Sequence, residues 1–252
     1  MKELDFYEEI GNWDFSQIKY ETEKLTDWDF YERIKKYTDK NSVCLDLGTG
    51  AGEKLLAKYP NVRLVIGTDY SDAMLRGAKI NLEKSGRKDV RFAKMDNLQI
   101  TLPDELLDLI SARHTVIDAK QLYKSLRKGG IVVIQGVEKL DCQELKEMFK
   151  RGQAYKDKVA ISQLDYEQLV NAGFEIVEKK EVLENEYFET KEDLLALLLK
   201  TPILDDFSEI EENNYGKKSI EMNILDEYIK KNTTEKGILL KRVLYGIVAV
   251  KR

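Results

Sequence analysis

The sequence predicts an α/β protein with a doubly wound, mainly parallel sheet. Three observations lead to this prediction. Short apolar runs alternate with amphipathic segments along residues 43–135, one apolar run ends in a glycine-rich turn, and no Gly/Ser-rich linker interrupts the chain. Such alternation is typical of right-handed βαβ units, whose strands are parallel. The 252 residues are enough to bury the core of one full α/β domain, so we expect a single domain.

Seven segments have the composition and length of strands. Each is a short apolar run bounded by turn residues, as expected for strands that are buried on both faces of a sheet. The predicted strands cover residues 43–45, 62–67, 90–93, 106–110, 131–134, 174–182 and 243–250.

Helices are predicted between these strands, where apolar residues recur every three or four positions. Ser71 is a predicted N-cap, and Gly86 closes the same helix. Thr190 with Asp193 resembles a capping box before a Leu-rich segment. The predicted helices cover residues 53–59, 71–86, a segment around 122–126, 165–172 and 194–199.

The composition excludes several classes of protein. A formal net charge of -5 disfavours nonspecific nucleic-acid binding, although a local basic patch stays open. Neither Cys44 nor Cys142 has the spacing of a zinc site or a disulfide framework. No apolar run approaches the roughly 20 residues that span a bilayer, and the first residues lack the features of a signal peptide. We therefore expect a cytoplasmic protein with no metal site and no membrane partner.

The most informative segment is the glycine-rich turn that follows the first predicted strand. Its three glycines, Gly48, Gly50 and Gly52, have the spacing G-x-G-x-G, whereas a dinucleotide site requires G-x-G-x-x-G. No Gly-Lys-Ser/Thr follows, so the turn is not a P-loop. Asp46 stands two residues before the first glycine. A carboxylate there would repel a pyrophosphate, but it suits a ligand that carries an ammonium group and a sulfonium.

This turn resembles motif I of the class I, Rossmann-like, S-adenosylmethionine-dependent methyltransferases, and the resemblance continues over residues 43–135. It implies that residues 41–136 form the cofactor-binding core and that the last two strands form an antiparallel hairpin. An acid 23 residues after Asp46, Asp69, matches the family's ribose-binding position. The resemblance and the flanking residues together give the expected cofactor-binding residues: Asp46, Gly48, Thr49, Gly50, Gly52, Asp69, Tyr70, Met74, Asp96, Asn97 and Arg113.

Several of these positions have alternative interpretations. Asp96 can be a turn or cap residue, and Met74 can belong to the core of its helix. Arg113 can bind an anionic substrate or the cofactor carboxylate, or it can form a structural salt bridge. His114, the one histidine of the chain, follows the fourth strand and is the candidate general base; its alternative is a packed or cofactor-contacting residue.

Two additions flank or interrupt the predicted core, residues 1–40 and residues 183–236. We expect the first to be helical, because its aromatic residues include two Trp-Asp-Phe strings whose Asp can cap a helix. It is either a lid over the site or ordinary packing against the core, and Tyr20 and Tyr31 are the residues expected near the site. The second addition, in the C-terminal half (137–252), is expected on the substrate side, and its acidic residues 205–212 are expected to form a solvated loop.

The sequence therefore predicts an S-adenosylmethionine-dependent methyltransferase whose product is S-adenosylhomocysteine and whose acceptor is a small molecule. Three alternatives stay open. One is an RNA methyltransferase, and a second is a noncatalytic, cofactor-binding regulatory protein. A third, a nicotinamide-dependent oxidoreductase, is disfavoured by the glycine spacing. The sequence indicates neither the acceptor nor the oligomeric state.

Overall fold

A computed structural model describes residues 18–204 and 215–252 of the chain. The strands in this part are β1 (Tyr20–Lys24), β2 (Val43–Leu47), β3 (Leu64–Asp69), β4 (Val90–Lys94), β5 (Leu107–Arg113), β6 (Leu126–Val137), β7 (Phe174–Phe188), β8 (Thr233–Thr234) and β9 (Gly237–Lys251). The helices are α1 (Phe30–Lys36), α2 (Glu53–Lys58), α3 (Asp72–Ser85), α4 (Ala119–Ser125), α5 (Gln143–Phe149), α6 (Ile161–Ala172), α7 (Lys191–Lys200) and α8 (Tyr215–Asn232).

The strands form one sheet in the order β1-β7-β9-β6-β5-β2-β3-β4, and β8 pairs with β9. Strands β2 to β6 are mutually parallel, whereas β9 runs antiparallel to its neighbours β6 and β7. This arrangement confirms the doubly wound sheet with an antiparallel C-terminal strand. All seven predicted strands are present. The sheet also contains two strands that the sequence did not predict, β1 at one edge and the two-residue β8.

The predicted helix caps are also confirmed. The Ser71 hydroxyl accepts a hydrogen bond from the Met74 amide at 3.2 Å, and Gly86 adopts a left-handed conformation after the last turn of α3. The Thr190 hydroxyl caps α7 by accepting from the Asp193 amide at 3.1 Å. In the second Trp-Asp-Phe string, the Asp29 carboxylate caps α1. The first string and the acidic residues 205–212 lie outside the described residues.

The expectation of a helical N-terminal addition is wrong for residues 20–24, which form β1. This strand pairs antiparallel with the last five residues of β7, from Glu184 to Phe188. The outer part of β7 would otherwise present an unpaired edge of backbone amides and carbonyls, and β1 supplies the missing partners. The local sequence of residues 20–24 does not reveal this pairing, because the partner strand is distant along the chain.

Apolar layers cover both faces of the sheet. On one face, Cys44, Val65 and Val133 pack against Trp28, Phe30 and Ile34 from the N-terminal segment. On the opposite face, Leu45, Ile110 and Val132 pack against residues of α4 and α6, including Leu122 and Leu169. Trp28 and Phe30 are thus core residues, each of which contributes roughly 1.5–3 kcal/mol by burial. For these two side chains, the packing alternative is confirmed.

A third apolar cluster lies beyond the end of β6. Val137, the last residue of β6, pairs with Leu244, and the preceding residues of β9 continue past this point, paired with β7 as far as Phe188. Leu145 of α5, Leu194 of α7 and Leu225 of α8 are buried in this cluster. The described residues of the second addition, 183–204 and 215–236, therefore lie beside the carboxyl end of β6. No helix in the described part of the chain is long and apolar enough to cross a membrane.

Candidate cofactor and acceptor site

The glycine-rich turn leaves the carboxyl end of β2 and leads into α2. Gly48 has a φ of 64°, a left-handed conformation that L side chains rarely adopt. A Cβ atom on Gly48 would lie 2.7 Å from the Thr115 hydroxyl, and one on Gly52 would lie 2.5 Å from the Phe92 ring. These positions have neither the backbone conformation nor the space for a side chain, so both require glycine.

Asp46 lies beneath this turn and is almost completely buried. Its carboxylate accepts a 2.6 Å hydrogen bond from the hydroxyl of Ser111 on the neighbouring strand β5. Burial raises the pKa of Asp46 to about 6, although the hydrogen bond from Ser111 opposes this effect. Asp46 is therefore a buried acid that is mostly ionised at pH 7, and a cationic ligand group beside it would stabilise its charge.

Asp69 connects the end of β3 to the glycine turn. One carboxylate oxygen accepts from the Gly50 amide at 2.9 Å, and the other accepts from the Ser71 amide at 2.9 Å. A carboxylate oxygen can accept more than one hydrogen bond. The structure thus brings Asp69 together with the turn, as the sequence predicted.

Asp96 and Asn97 lie in the turn that follows β4. Asp96 is exposed and accepts from the Leu98 amide at 2.8 Å, which is the behaviour of a turn residue. The Asn97 amide nitrogen donates to the Thr115 hydroxyl at 2.7 Å, and its oxygen is buried without a hydrogen-bond partner among the described residues. A buried acceptor without a partner is costly, so it favours a donor group from a ligand.

Two further cofactor-binding candidates, Met74 and Tyr70, differ in exposure. Met74 is 1% exposed in the core of α3, so the structure does not bring its side chain to the surface of the site. Tyr70 is 52% exposed, and the Lys94 ammonium lies 5.4 Å from the centre of its ring. Tyr70 therefore has surface available for a ligand, whereas Met74 has almost none.

Arg113 ends β5, next to the glycine turn. Its side chain is half-buried and makes no hydrogen bond or ion pair with any residue that the structure describes. Its positive charge nevertheless acts on Asp46, Tyr20 and Tyr31. A partly buried guanidinium without a direct partner favours an anionic ligand group.

His114 follows Arg113 and has a φ of 54°. Its amide donates to the Gln135 carbonyl at 2.8 Å, and its Nε2 atom lies 3.4 Å from the Gln135 amide nitrogen. The residue is solvent-exposed. Desolvation by the surrounding protein, together with the charges of Arg113 and Arg242, lowers the pKa of His114, so the ring is neutral at pH 7.

Sequence reasoning missed several residues that organise this site. Ser111, Thr115 and Gln135 contact candidate residues, and Trp28 donates a buried 2.8 Å hydrogen bond to Gln135. The available signal was weak. Ser111 and Gln135 are polar residues in otherwise apolar strands, but their partners become apparent only after the strands are assembled.

A buried ion cluster lies where β7 and β9 extend beyond the end of β6. Arg242 of β9 donates to Asp141 at 2.9 Å and to Glu186 at 3.1 Å. The positive charge of Arg242 acts on the Tyr20 hydroxyl. The rings of Tyr20 and Phe188 stack with their centres 5.2 Å apart. Burial raises the pKa of Tyr20, and the positive charges of Arg242 and Arg113 oppose that effect. Tyr20 and Tyr31 are thus both within electrostatic range of the site.

Comparisons with known proteins agree with this geometry. Residues 38–198 match a family model described as a methyltransferase domain. No curated protein sequence matches the chain. Among solved structures, an S-adenosylmethionine-dependent methyltransferase from Aquifex aeolicus is 15% identical, with a TM-score of 0.56 and complete coverage of both chains. A candidate methyltransferase from Bacillus halodurans is 19% identical, with a TM-score of 0.59, over 88% of this chain and 98% of its own.

A third solved structure is more informative about ligands. It is a phosphoethanolamine N-methyltransferase from Haemonchus contortus, bound to phosphomonomethylethanolamine and S-adenosylhomocysteine. It is 18% identical, with a TM-score of 0.51, over 89% of this chain and 53% of its own. These structures share the fold. Because the family model covers more than half of the residues, the chain belongs to the methyltransferase domain family.

Proposed function

We propose that this member of the methyltransferase domain family transfers a methyl group from S-adenosylmethionine to a small molecule. The observation that carries the proposal is the buried, mostly ionised Asp46 beneath a G-x-G-x-G turn in which Gly48 and Gly52 cannot carry side chains. A pyrophosphate would be repelled there, whereas a ligand with an ammonium group and a sulfonium would be attracted.

The residues around the turn fit the other parts of this cofactor. A carboxylate such as that of Asp69 suits the two ribose hydroxyls, and the buried Asn97 oxygen can accept from the adenine amino group. Tyr70 directly follows Asp69, and Asp96 directly precedes Asn97. Arg113 has the charge for the methionine carboxylate. When bound, S-adenosylmethionine supplies an activated methyl group, so the protein's task is mainly to align donor and acceptor.

Two observations favour a small acceptor over RNA. The net charge is -5, and the site is bounded on one side by the β7–β9 extension with its apolar helical cluster. A protein of the same fold from Haemonchus contortus binds a small phosphorylated amine. Both cysteines are free thiols, which is consistent with the cytoplasmic location that we propose.

The N-terminal segment contributes to this proposal in two ways. Its Trp28 and Phe30 anchor it on the core, whereas Tyr20 and Tyr31 come within electrostatic range of Arg113. We propose that the segment forms a wall of the acceptor pocket. Closure of this wall over bound cofactor stays a prediction.

Calorimetry with S-adenosylmethionine, S-adenosylhomocysteine and NAD tests the cofactor. We expect binding of the first two and none of NAD; the reverse result would overturn the methyltransferase proposal. Transfer of a radiolabelled methyl group is then measured into total RNA and into a protein-free metabolite extract. Label in the metabolite fraction alone supports the small-molecule proposal, and label in RNA contradicts it. Cofactor binding without transfer to either would support the noncatalytic alternative.

A further inference from the structure

We propose that a hydrogen-bonded chain of Trp28, Gln135 and His114 holds the His114 ring in the tautomer that carries its proton on Nδ1. In this state, His114 donates a hydrogen bond to an oxygen of the methyl acceptor and does not act as a general base. The inference deepens the proposed function, because it names the chemistry of the acceptor and rests on the location of the acceptor beside His114.

The hydrogen-bonded chain begins at the indole N–H of Trp28, which can only donate. The Trp28 indole N–H lies 2.8 Å from the side-chain oxygen of Gln135, and both residues are buried. An indole has no acceptor, so the Gln135 amide must present its oxygen to Trp28 and its nitrogen to the opposite side. The orientation of this amide, which is often ambiguous in proteins, is therefore determined by Trp28.

The amide nitrogen of Gln135 then determines the state of the histidine. It lies 3.4 Å from Nε2 of His114, a long hydrogen bond in which the amide is the donor. Nε2 must therefore present a lone pair, and the proton of the neutral ring resides on Nδ1. Protonation of Nε2 would place two N–H groups against each other, next to the positive charges of Arg113 and Arg242.

Further contacts fix both ends of the hydrogen-bonded chain, Trp28 and His114. The Trp28 ring packs against Gly246, where an added Cβ atom would lie 2.3 Å from the ring, and the Arg33 guanidinium covers it at 4.9 Å. At the other end, the His114 amide donates to the Gln135 carbonyl at 2.8 Å. This bond accompanies the left-handed φ of His114, which sets the direction of its side chain. The ring therefore has little freedom to exchange its hydrogen-bond partners.

The other ring nitrogen of His114, Nδ1, is the one that can contact a ligand. Nδ1 of His114 has no hydrogen-bond partner among the residues that the structure describes, and the ring is exposed. It offers one N–H donor beside the positive charge of Arg113. An acceptor molecule that presents an anionic oxygen, such as a carboxylate, matches this donor. A hydroxyl that must lose its proton to Nε2 does not match, because Gln135 occupies that atom.

The sole histidine of the chain makes the test unambiguous, because labelling with 15N-histidine yields a single imidazole spectrum. We expect the long-range 1H–15N pattern of the Nδ1–H tautomer near pH 7.5 in the full chain. Gln135→Glu replaces the donor with an acceptor of the same shape, and it should invert the pattern to Nε2–H. Trp28→Phe frees the amide and should yield a mixture. Gln153→Glu, at an exposed side chain, adds the same charge and should change nothing.

A wild-type ring that shows Nε2–H, or an imidazolium at neutral pH, would overturn the proposal. Unfolding of one variant is detected by circular dichroism, and the wild-type spectrum is decisive by itself. The donor role is tested by titration of the protein with acetate and with tetramethylammonium. Acetate alone should shift the Nδ1–H resonance; no shift, or equal shifts, would contradict the donor role. These spectra need no cofactor, so they fail independently of S-adenosylmethionine binding.

Discussion

The two sides of the site differ in how their residues are brought together. On the cofactor side, Asp46, Asp69 and Asn97 lie at or just beyond the carboxyl ends of parallel strands. Short hydrogen bonds connect them to Ser111, to the Gly50 amide and to Thr115, respectively. On the proposed acceptor side, the wall consists of β1 and the outer parts of β7 and β9. It depends on pairing between residues about 50 to 170 positions apart, such as Arg242 with Glu186 and β1 with β7. The cofactor side thus combines turns at the strand ends with contacts between neighbouring parallel strands, whereas the proposed acceptor side depends on antiparallel pairing at the sheet edge and on a buried charge.

The largest expected effect is the loss of cofactor binding in Gly48→Val. The added side chain would clash with Thr115 and force a branched residue to a φ of 64°, where only glycine is comfortable. We expect no measurable binding of S-adenosylhomocysteine by calorimetry. Gly129→Ala is the matched control, since Gly129 also has a positive φ but open space around it. Retained affinity in Gly48→Val would mean that the ligand does not approach this turn.

The acceptor side is tested through its buried charge. Arg242→Met removes the partner of two buried carboxylates, Asp141 and Glu186, and leaves them uncompensated. We expect the free energy of unfolding to fall by about 3–5 kcal/mol in urea titrations. Arg252→Met, which breaks the exposed pair with Glu175, should lower the free energy of unfolding far less, because solvent screens this pair. Equal losses in both variants would show that the ion cluster does not hold this wall.

A smaller effect on the cofactor side is expected from Asp69→Asn. The substitution keeps one acceptor oxygen but removes the charge that strengthens hydrogen bonds to ribose hydroxyls. Affinity for S-adenosylhomocysteine should fall by about 1.5–3 kcal/mol in calorimetry. The affinity for homocysteine, which lacks the ribose, should not change relative to the wild type. Unchanged affinity for S-adenosylhomocysteine would exclude Asp69 from ribose binding.

Asp46→Asn is expected to raise the stability of the fold and to weaken cofactor binding. Because burial raises the folded-state pKa of Asp46 from 3.8 to about 6, the folded protein binds this proton more tightly than the unfolded chain does. The ionised carboxylate thus destabilises the fold above pH 6, and this penalty disappears as the pH falls from about 6 to about 4. Asp46→Asn should therefore be about 1–3 kcal/mol more stable than the wild type at pH 7.

The pH dependence gives this prediction its control. The stability advantage of Asp46→Asn should vanish near pH 4 in thermal unfolding measured across the pH range. Binding of S-adenosylmethionine should be strongly weakened in the variant, and in the wild type it should weaken as the pH falls below about 6. A variant that is less stable at pH 7 would contradict the buried, mostly ionised state of Asp46.

Much of the cofactor side was predictable because its signals are local. A strand that ends in glycines, an N-cap such as Ser71 and a left-handed Gly86 each act over a few residues, and the structure confirms these elements. The strand ends then converge without further information, because parallel strands bring their carboxyl ends to one edge. Met74 departs from this pattern, since helical periodicity does not reveal whether an apolar side chain faces a ligand or the core.

The sequence by itself determined the fold class, the order of the strands along the chain and the glycine turn with its acid. Only the tertiary structure decided that residues 20–24 form a strand, that Trp28 is a core residue and that Gln135 connects Trp28 to His114. The physical reason is the range of the interactions. A cap or a turn is satisfied within a few residues, whereas the edge of β7, the indole N–H of Trp28 and the charge of Arg242 find their partners between about 50 and 170 residues away.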